Sequence, residues 1–310
     1  MNRFSGTLER LNVVTNQDKI RLVGPRYHRR ILLAQDGQDR IGELIARNKP
    51  LMVSRLGLVE LSCLRFYLEK RRGKKKAYGK NIKYSLANNA GFFPVDDDSL
   101  DAFSELYLDR LKQADAMVTW LYQYEDVVCN KFCRDAELIH PTCLEPFWFS
   151  NPWSGRLAGK KVLVVHPFVE SIRRQYAEKR RLLFASPDIL PEFELKTIKA
   201  VQSIAGSKVE FATWFHAYQH MCDEMAGIDF DVCLIGAGAY GLPLASFAKS
   251  LGKQAIHLGG LTQILFGIKG RRWEEFYADT TAKLFNEHWI RPMESETPAN
   301  KDRVEDGCYW

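Results

Sequence analysis

Three groups of residues have the types and spacing needed to hold a phosphorylated ligand. Gly236-Ala-Gly238-Ala-Tyr240-Gly241 follows the apolar run Asp231–Ile235, and Gly259-Gly260 follows a second run, Lys253–Leu258. Each glycine turn leads into a helical stretch, so both are strand–turn–helix units at the C-terminal edge of a parallel sheet. Glycine suits turns where the backbone runs at positive φ or approaches a ligand closely. The helix N-terminus behind such a turn offers N–H groups to phosphate oxygens. The third group, Arg55-Leu-Gly57-Leu-Val-Glu60, joins the short run Leu51–Ser54 to another helix. Arg55 at a strand end can pair with phosphate, and Glu60 in the first helical turn suits the positive helix end. The competing reading is that Arg55 and Glu60 pair with each other or cap the helix. Lys269, Arg271 and Arg272 lie downstream and add cations suited to a diphosphate.

The G-x-G-x-x-G spacing between strand and helix also fits a dinucleotide. That reading expects an acidic residue at the end of the next strand, to hold the ribose hydroxyls. Here the strand ends His257-Leu258-Gly259-Gly260, without a carboxylate, and the motif starts late in the chain. A nucleoside diphosphate, as in a nucleotide sugar, therefore fits better than NAD. The bland alternative is that the glycines only let helix and sheet pack closely. His166 ends the strong apolar run Val162–Val165 and is a second candidate base beside Glu60, because strand C-termini face the site in such sheets. His216 and His220, and likewise Cys129 and Cys133, have a one-turn spacing that a metal pair would need, but neither comes with a third ligand in a recognisable pattern.

Composition narrows the class. The chain has 310 residues, 46% hydrophobic and 12% aromatic, enough for a sizeable core and against global disorder. No apolar run is long enough to cross a membrane, and MNRFSGTLER lacks the apolar segment of a signal peptide. Seven scattered cysteines, an odd number, point to a reduced, cytoplasmic chain. The net charge of +6 is concentrated in Lys70-Arg-Arg-Gly-Lys-Lys-Lys76. That run is either a solvated helix end or a dock for anionic lipid or a polyanionic substrate at the inner membrane face. Nothing resembling an RNA-binding signature or a zinc finger accompanies it, so nucleic acid is not expected as a partner.

Strands and helices alternate from about residue 50 to residue 285, which predicts an α/β fold: a single Rossmann-like domain with a mostly parallel sheet flanked by helices. Residues 1–38 are expected to form an irregular N-terminal arm, residues 39–285 the domain, and residues 286–310 an aromatic tail packing on it. Helices are expected over Asp39–Arg47, from Leu100 to Gln113, from Ser171 to Leu183, from Thr213 to Met225, and from Trp273 through Phe285. The aromatic connector Glu145–Trp153 is expected in core or domain-edge packing rather than as a sugar platform.

With these residues laid out, the chain resembles the bacterial glycosyltransferases of the GT-D type, which build cell-surface polysaccharides and glycoproteins. The resemblance is carried by Ser54-Arg-Leu-Gly-Leu-Val-Glu60 as an R-x-G-x-x-E loop, Asn89-Ala-Gly-Phe-Phe-Pro94, Gly159–Phe168, Ile235–Pro243 and His257–Gly267. It covers most of the chain beyond residue 40. It implies transfer of a sugar from a nucleotide-sugar donor, such as a UDP-sugar, to a glycan or lipid-linked acceptor. Donor-binding positions would be Gly57, Gly236, Gly238, Tyr240, Gly241, Gly259, Gly260, Thr262, Gln263, Lys269 and Arg271, with Glu60, Arg55 and His166 at the chemistry. Relatives reading R-x-G-D-x-E carry a D-x-E pair tied to a divalent metal, Mn²⁺ or Mg²⁺. Leu58 stands where that aspartate would fall, which puts metal dependence in question. The competing classes are an NAD(P)-dependent oxidoreductase and a non-catalytic binder of nucleotide sugars or anionic polymers.

Overall fold

The computed structural model describes residues 16–281 and 283–310. Short apolar runs flanked by turns make the strands: β1 (Ile31–Leu32), β2 (Leu51–Arg55), β3 (Ala116–Val118), β4 (Glu137–Ile139), β5 (Lys161–His166), β6 (Glu194–Lys199), β7 (Val232–Ile235) and β8 (Gln254–His257). They form one eight-stranded sheet in the order β1-β4-β3-β2-β8-β7-β5-β6, with every pair parallel. The central strands are buried on both faces, as a parallel sheet covered by helices requires.

Successive strand residues point to opposite faces and so divide the core in two. Leu163 and Val165 join one cluster, and Val162 and Val164 the other. The first cluster is completed by α3 (Leu58–Arg71), α4 (Lys80–Asn89), α5 (Asp97–Leu111), α8 (Trp214–Ala226) and α9 (Gly241–Ser250). The second is completed by α2 (Ala34–Ala46), α7 (Val169–Leu183), the short α10 (Leu261–Leu265) and C-terminal residues such as Trp289, Val304 and Trp310. The molecule is a single α/β domain.

This division positions the site. Along the centre of the sheet, β2 leads into α3 on the first face, β8 into α10 on the second, β7 into α9 on the first, and β5 into α7 on the second. Each neighbouring pair therefore sends its chain away on opposite sides. A crevice opens beyond the C-terminal ends of strands arranged in this way.

The ends of the chain differ from expectation. Of the predicted irregular arm, residues 1–15 lie outside the described residues. Residues 16–38 are not irregular: they form α1 (Asn16–Val23), a 3-10 turn, edge strand β1 and the start of α2. The helix expected from Trp273 through Phe285 is broken into a π turn, Arg272–Phe276, and the single turn α11 (Ala278–Thr281). The aromatic connector contributes buried Phe147 and Trp153 to the second core cluster. No described helix is long and apolar enough to cross a membrane.

The N-terminus of α7 is closed by a residue from far along the chain. Glu296, almost fully buried, accepts hydrogen bonds from the backbone N–H of Glu170 (2.7 Å) and Ser171 (3.2 Å), and from the Ser171 hydroxyl. A carboxylate there satisfies N–H groups that the helix leaves open and meets the positive end of its dipole. Replacing Glu296 by alanine is expected to cost about 1–3 kcal/mol and to loosen the C-terminal segment. Thermal unfolding and limited proteolysis near the C-terminus would check both.

Candidate functional site

A cleft of about 670 Å³ lies beyond the C-terminal ends of the central strands, within the range of small-molecule sites. Its floor takes Arg55 from the end of β2, His257 from β8, Gly236 just after β7 and His166 from β5. One wall is the start of α3 with Gly57 and Glu60, together with one face of α4 carrying Asn81, Ser85 and Asn89. The opposite wall includes Gly259, Gly260, Gln263 and Arg272, with Tyr309 and Trp310 at the end of the chain.

The glycines are where close approach demands them. A Cβ on Gly236 would lie 2.5 Å from His166 Cδ2, 2.6 Å from Thr262 Oγ1 and 2.7 Å from the Gly259 carbonyl oxygen. Gly259 has a φ of +62°, and a Cβ there would stand 2.9 Å from the Arg55 guanidinium. Any side chain at either position would fill the floor of the cleft or displace its arginine. Gly238 also runs at positive φ, and the turn is tied down by the Tyr107 hydroxyl, which donates to the Ala239 carbonyl.

Arg55 lies over the Trp120 ring, 4.8 Å from its centroid, and against Gly259. Among the described residues it makes no ion pair, so its charge is not consumed by the protein. Glu60 does something else. It sits in the first turn of α3 with its carboxylate folded back over Gly57, where a Cβ would overlap Oε2. This is the geometry of a side chain capping its own helix, and of the two competing sequence readings the capping one describes Glu60. Glu60 is also the one carboxylate among the described residues lining the cleft.

His166 is correctly placed but wrongly equipped to be a base. Its Nδ1 accepts the Phe168 backbone N–H at 3.0 Å, and burial pushes its pKa down to about 3. The imidazole is therefore neutral with its proton on Nε2, a hydrogen-bond donor. His257 is likewise neutral: burial, then the nearby Arg55 charge, lowers its pKa to about 3. Its Nδ1 faces the Ser54 hydroxyl at 3.3 Å, and its ring packs against Gly241 with no room for a Cβ.

The remaining predicted positions divide. Tyr240 lines the cleft, stacked on Trp214 at 4.7 Å with its hydroxyl 3.3 Å from Ser203 Oγ. Gly241 and Thr262 lie behind the lining rather than in it. Lys269 and Arg271 do not reach the cleft: Lys269 pairs with Glu274 at 3.3 Å, and Arg271 with Glu275 at 2.8 Å. The neighbouring Arg272 takes that place, its guanidinium over the Tyr309 ring at 4.6 Å and bonded to the Tyr309 hydroxyl at 3.2 Å. Sequence reasoning did not find the contributions of Tyr122, Ser203, Tyr309 and Trp310, which come from loops and the chain end.

A divalent cation of the Mg²⁺ or Mn²⁺ kind needs several oxygen ligands. One carboxylate that caps its own helix does not supply them, and no cluster of three metal-binding side chains occurs among the described residues. The residues present do not fit a resident metal.

No family model matches the chain, and no curated protein matches it. Two solved structures are similar, each at 12% identity and a TM-score of 0.48, covering 93% of this chain and 94% of their own. One is described as a selenomethionine-substituted structure of domain of unknown function 1792. The other is described as that highly conserved domain, with a distinct glycosyltransferase fold. A likeness of that degree assigns this chain neither an activity nor a substrate.

Proposed function

We propose that the protein is a nucleotide-sugar-dependent glycosyltransferase acting on a glycan or lipid-linked acceptor in bacterial surface polysaccharide synthesis. The observation that carries this reading is the pairing of Arg55, without an anionic partner among the described residues, with close-approach glycines at the crevice of a doubly wound sheet. Glycosyl transfer needs positive charge on the departing diphosphate and a base for the acceptor hydroxyl. Arg55 and Arg272 provide the charge. Glu60 is the base, since His166 is a donor and cannot serve. Arginines at the diphosphate take the place of the D-x-E metal, so the donor binds without Mn²⁺ or Mg²⁺. The exposed Arg71, Arg72, Lys74, Lys75 and Lys76 support docking at an anionic membrane surface, whereas Lys70 is tied to Asp101 at 2.6 Å.

Thermal stabilisation across UDP, GDP, CDP, ADP, NAD and NADP, each with Mn²⁺ or with a chelator, tests the reading. A ligand at 100 times its Kd stabilises the native state by about 2.7 kcal/mol, a shift of several degrees. The expected result is a shift with one nucleoside diphosphate that survives chelation. A shift confined to NAD or NADP overturns the transferase in favour of an oxidoreductase.

A further inference from the structure

One polar group in the cleft lacks a partner and cannot gain one by turning over. Gln263 is fully buried, and its Nε2 donates to the carbonyls of Ile268 (3.3 Å) and Tyr309 (3.1 Å). Reversing the amide would set its oxygen against two carbonyl oxygens, so the orientation is fixed and Oε1 is an acceptor. That oxygen makes no hydrogen bond among the described residues, although Gln263 lines the cleft. Native interiors rarely leave such a group unsatisfied, and a bound ligand is one of the few reasons to do so. The adjacent Thr262 hydroxyl is buried and unpartnered as well, 2.6 Å from where a Cβ on Gly236 would stand. On the other side of Gly236 lies His166, neutral and able to offer Nε2–H to the cleft.

An anion does not suit this corner, because phosphate oxygens and Gln263 Oε1 both present lone pairs. A hydroxyl suits it, donating to Oε1 and accepting from Nε2–H, and two adjacent hydroxyls can satisfy both residues at once. We propose that Gln263 and His166 form a diol-recognition subsite, separate from the diphosphate position at Arg55 and Arg272. The proposal rests on the nucleotide-sugar reading and assigns which part of the ligand lies where. The diol has two possible sources, the ribose of the nucleoside or the sugar to be transferred.

Calorimetric titration distinguishes them. UDP, GDP, CDP and ADP are compared, each beside its 2′,3′-dideoxy form and its glucosyl conjugate. If the ribose is the source, the dideoxy form binds about tenfold more weakly. If the transferred sugar is the source, the glucosyl conjugate binds about tenfold more tightly and the dideoxy form is unchanged. In either case Gln263→Met removes the difference, and so does His166→Asn, which keeps an acceptor for the Phe168 N–H. The second variant serves if the first does not fold, and the wild-type comparison needs neither. A nucleoside diphosphate that binds equally in all three forms overturns the subsite and leaves the nucleotide reading standing. A difference that survives both substitutions overturns the assignment to these residues. Failure of every nucleotide to bind overturns the reading and the subsite together.

Discussion

Glu60→Gln is expected to lower turnover by about 10²- to 10⁴-fold while leaving the fold and nucleotide binding in place. The reasoning follows from how Glu60 is held. Its carboxylate folds back over Gly57 in the first turn of α3 and lines the cleft. A glutamine has the same length and keeps an oxygen to cap the helix, so the cost in stability is about 0.3–1 kcal/mol from the lost charge at the helix N-terminus. The glutamine cannot accept the proton of an attacking hydroxyl. No other described carboxylate lines the cleft, and both imidazoles there are held neutral by burial, so no nearby group replaces the lost base. The measurement is release of nucleoside diphosphate from the donor, with and without added saccharide acceptors, beside a melting curve. A folded variant with full turnover would remove Glu60 from the chemistry. A wild-type protein that binds donor but turns over none, with any acceptor, would favour the binding-protein reading.

Much of this arrangement was legible in the sequence because its signals are local. A buried run, a glycine turn and a helix lie within about a dozen residues of one another around Gly57, Gly236 and Gly259. The order of such units predicts a parallel sheet with its crevice at those turns. The parts that were missed depend on contacts between distant residues. Strands β1, β3 and β4 have only two or three residues each, too few to show a period. Which of three consecutive downstream cations faces the cleft depends on a π turn that starts at Arg272, and no spacing rule announces one. His166 was placed correctly, but its tautomer is set by the turn of backbone that brings the Phe168 N–H onto Nδ1. Nothing near Glu296 in sequence points to α7, whose N-terminus it caps from 125 residues away.

The same separation hides a carboxylate that governs the Arg55 side of the cleft, and the second large effect is expected there. Glu125, at the start of α6 (Glu125–Phe132), is fully buried and accepts hydrogen bonds from the Tyr27 hydroxyl (2.8 Å) and the backbone N–H groups of Trp120 (3.3 Å) and Tyr122 (3.2 Å). It thereby fixes the loop that sets Trp120 against Arg55 and brings Tyr122 to the cleft, a loop in which Leu121 and Tyr124 run at positive φ. Glu125→Leu leaves three donors without an acceptor and is expected to cost about 3 kcal/mol or more, with loss of nucleotide binding as the Trp120 support goes. Burial outweighs those hydrogen bonds and raises the Glu125 pKa from 4.5 to about 7. The sign follows from proton counting: above pH 4.5 the unfolded chain releases a proton that the folded chain still holds. The stabilisation from this group is therefore complete below that pH and is lost as the pH rises to about 7, at up to about 1.4 kcal/mol per pH unit. Glu125→Gln keeps an acceptor for Tyr27 and Tyr122, turns an NH₂ towards the Trp120 N–H, and does not titrate. It should be less stable than the wild type in acid and should draw level with it towards neutral pH. Denaturation midpoints of both proteins from pH 5 to pH 8 would show this convergence, and parallel curves would mean that Glu125 stays ionised in the folded state throughout.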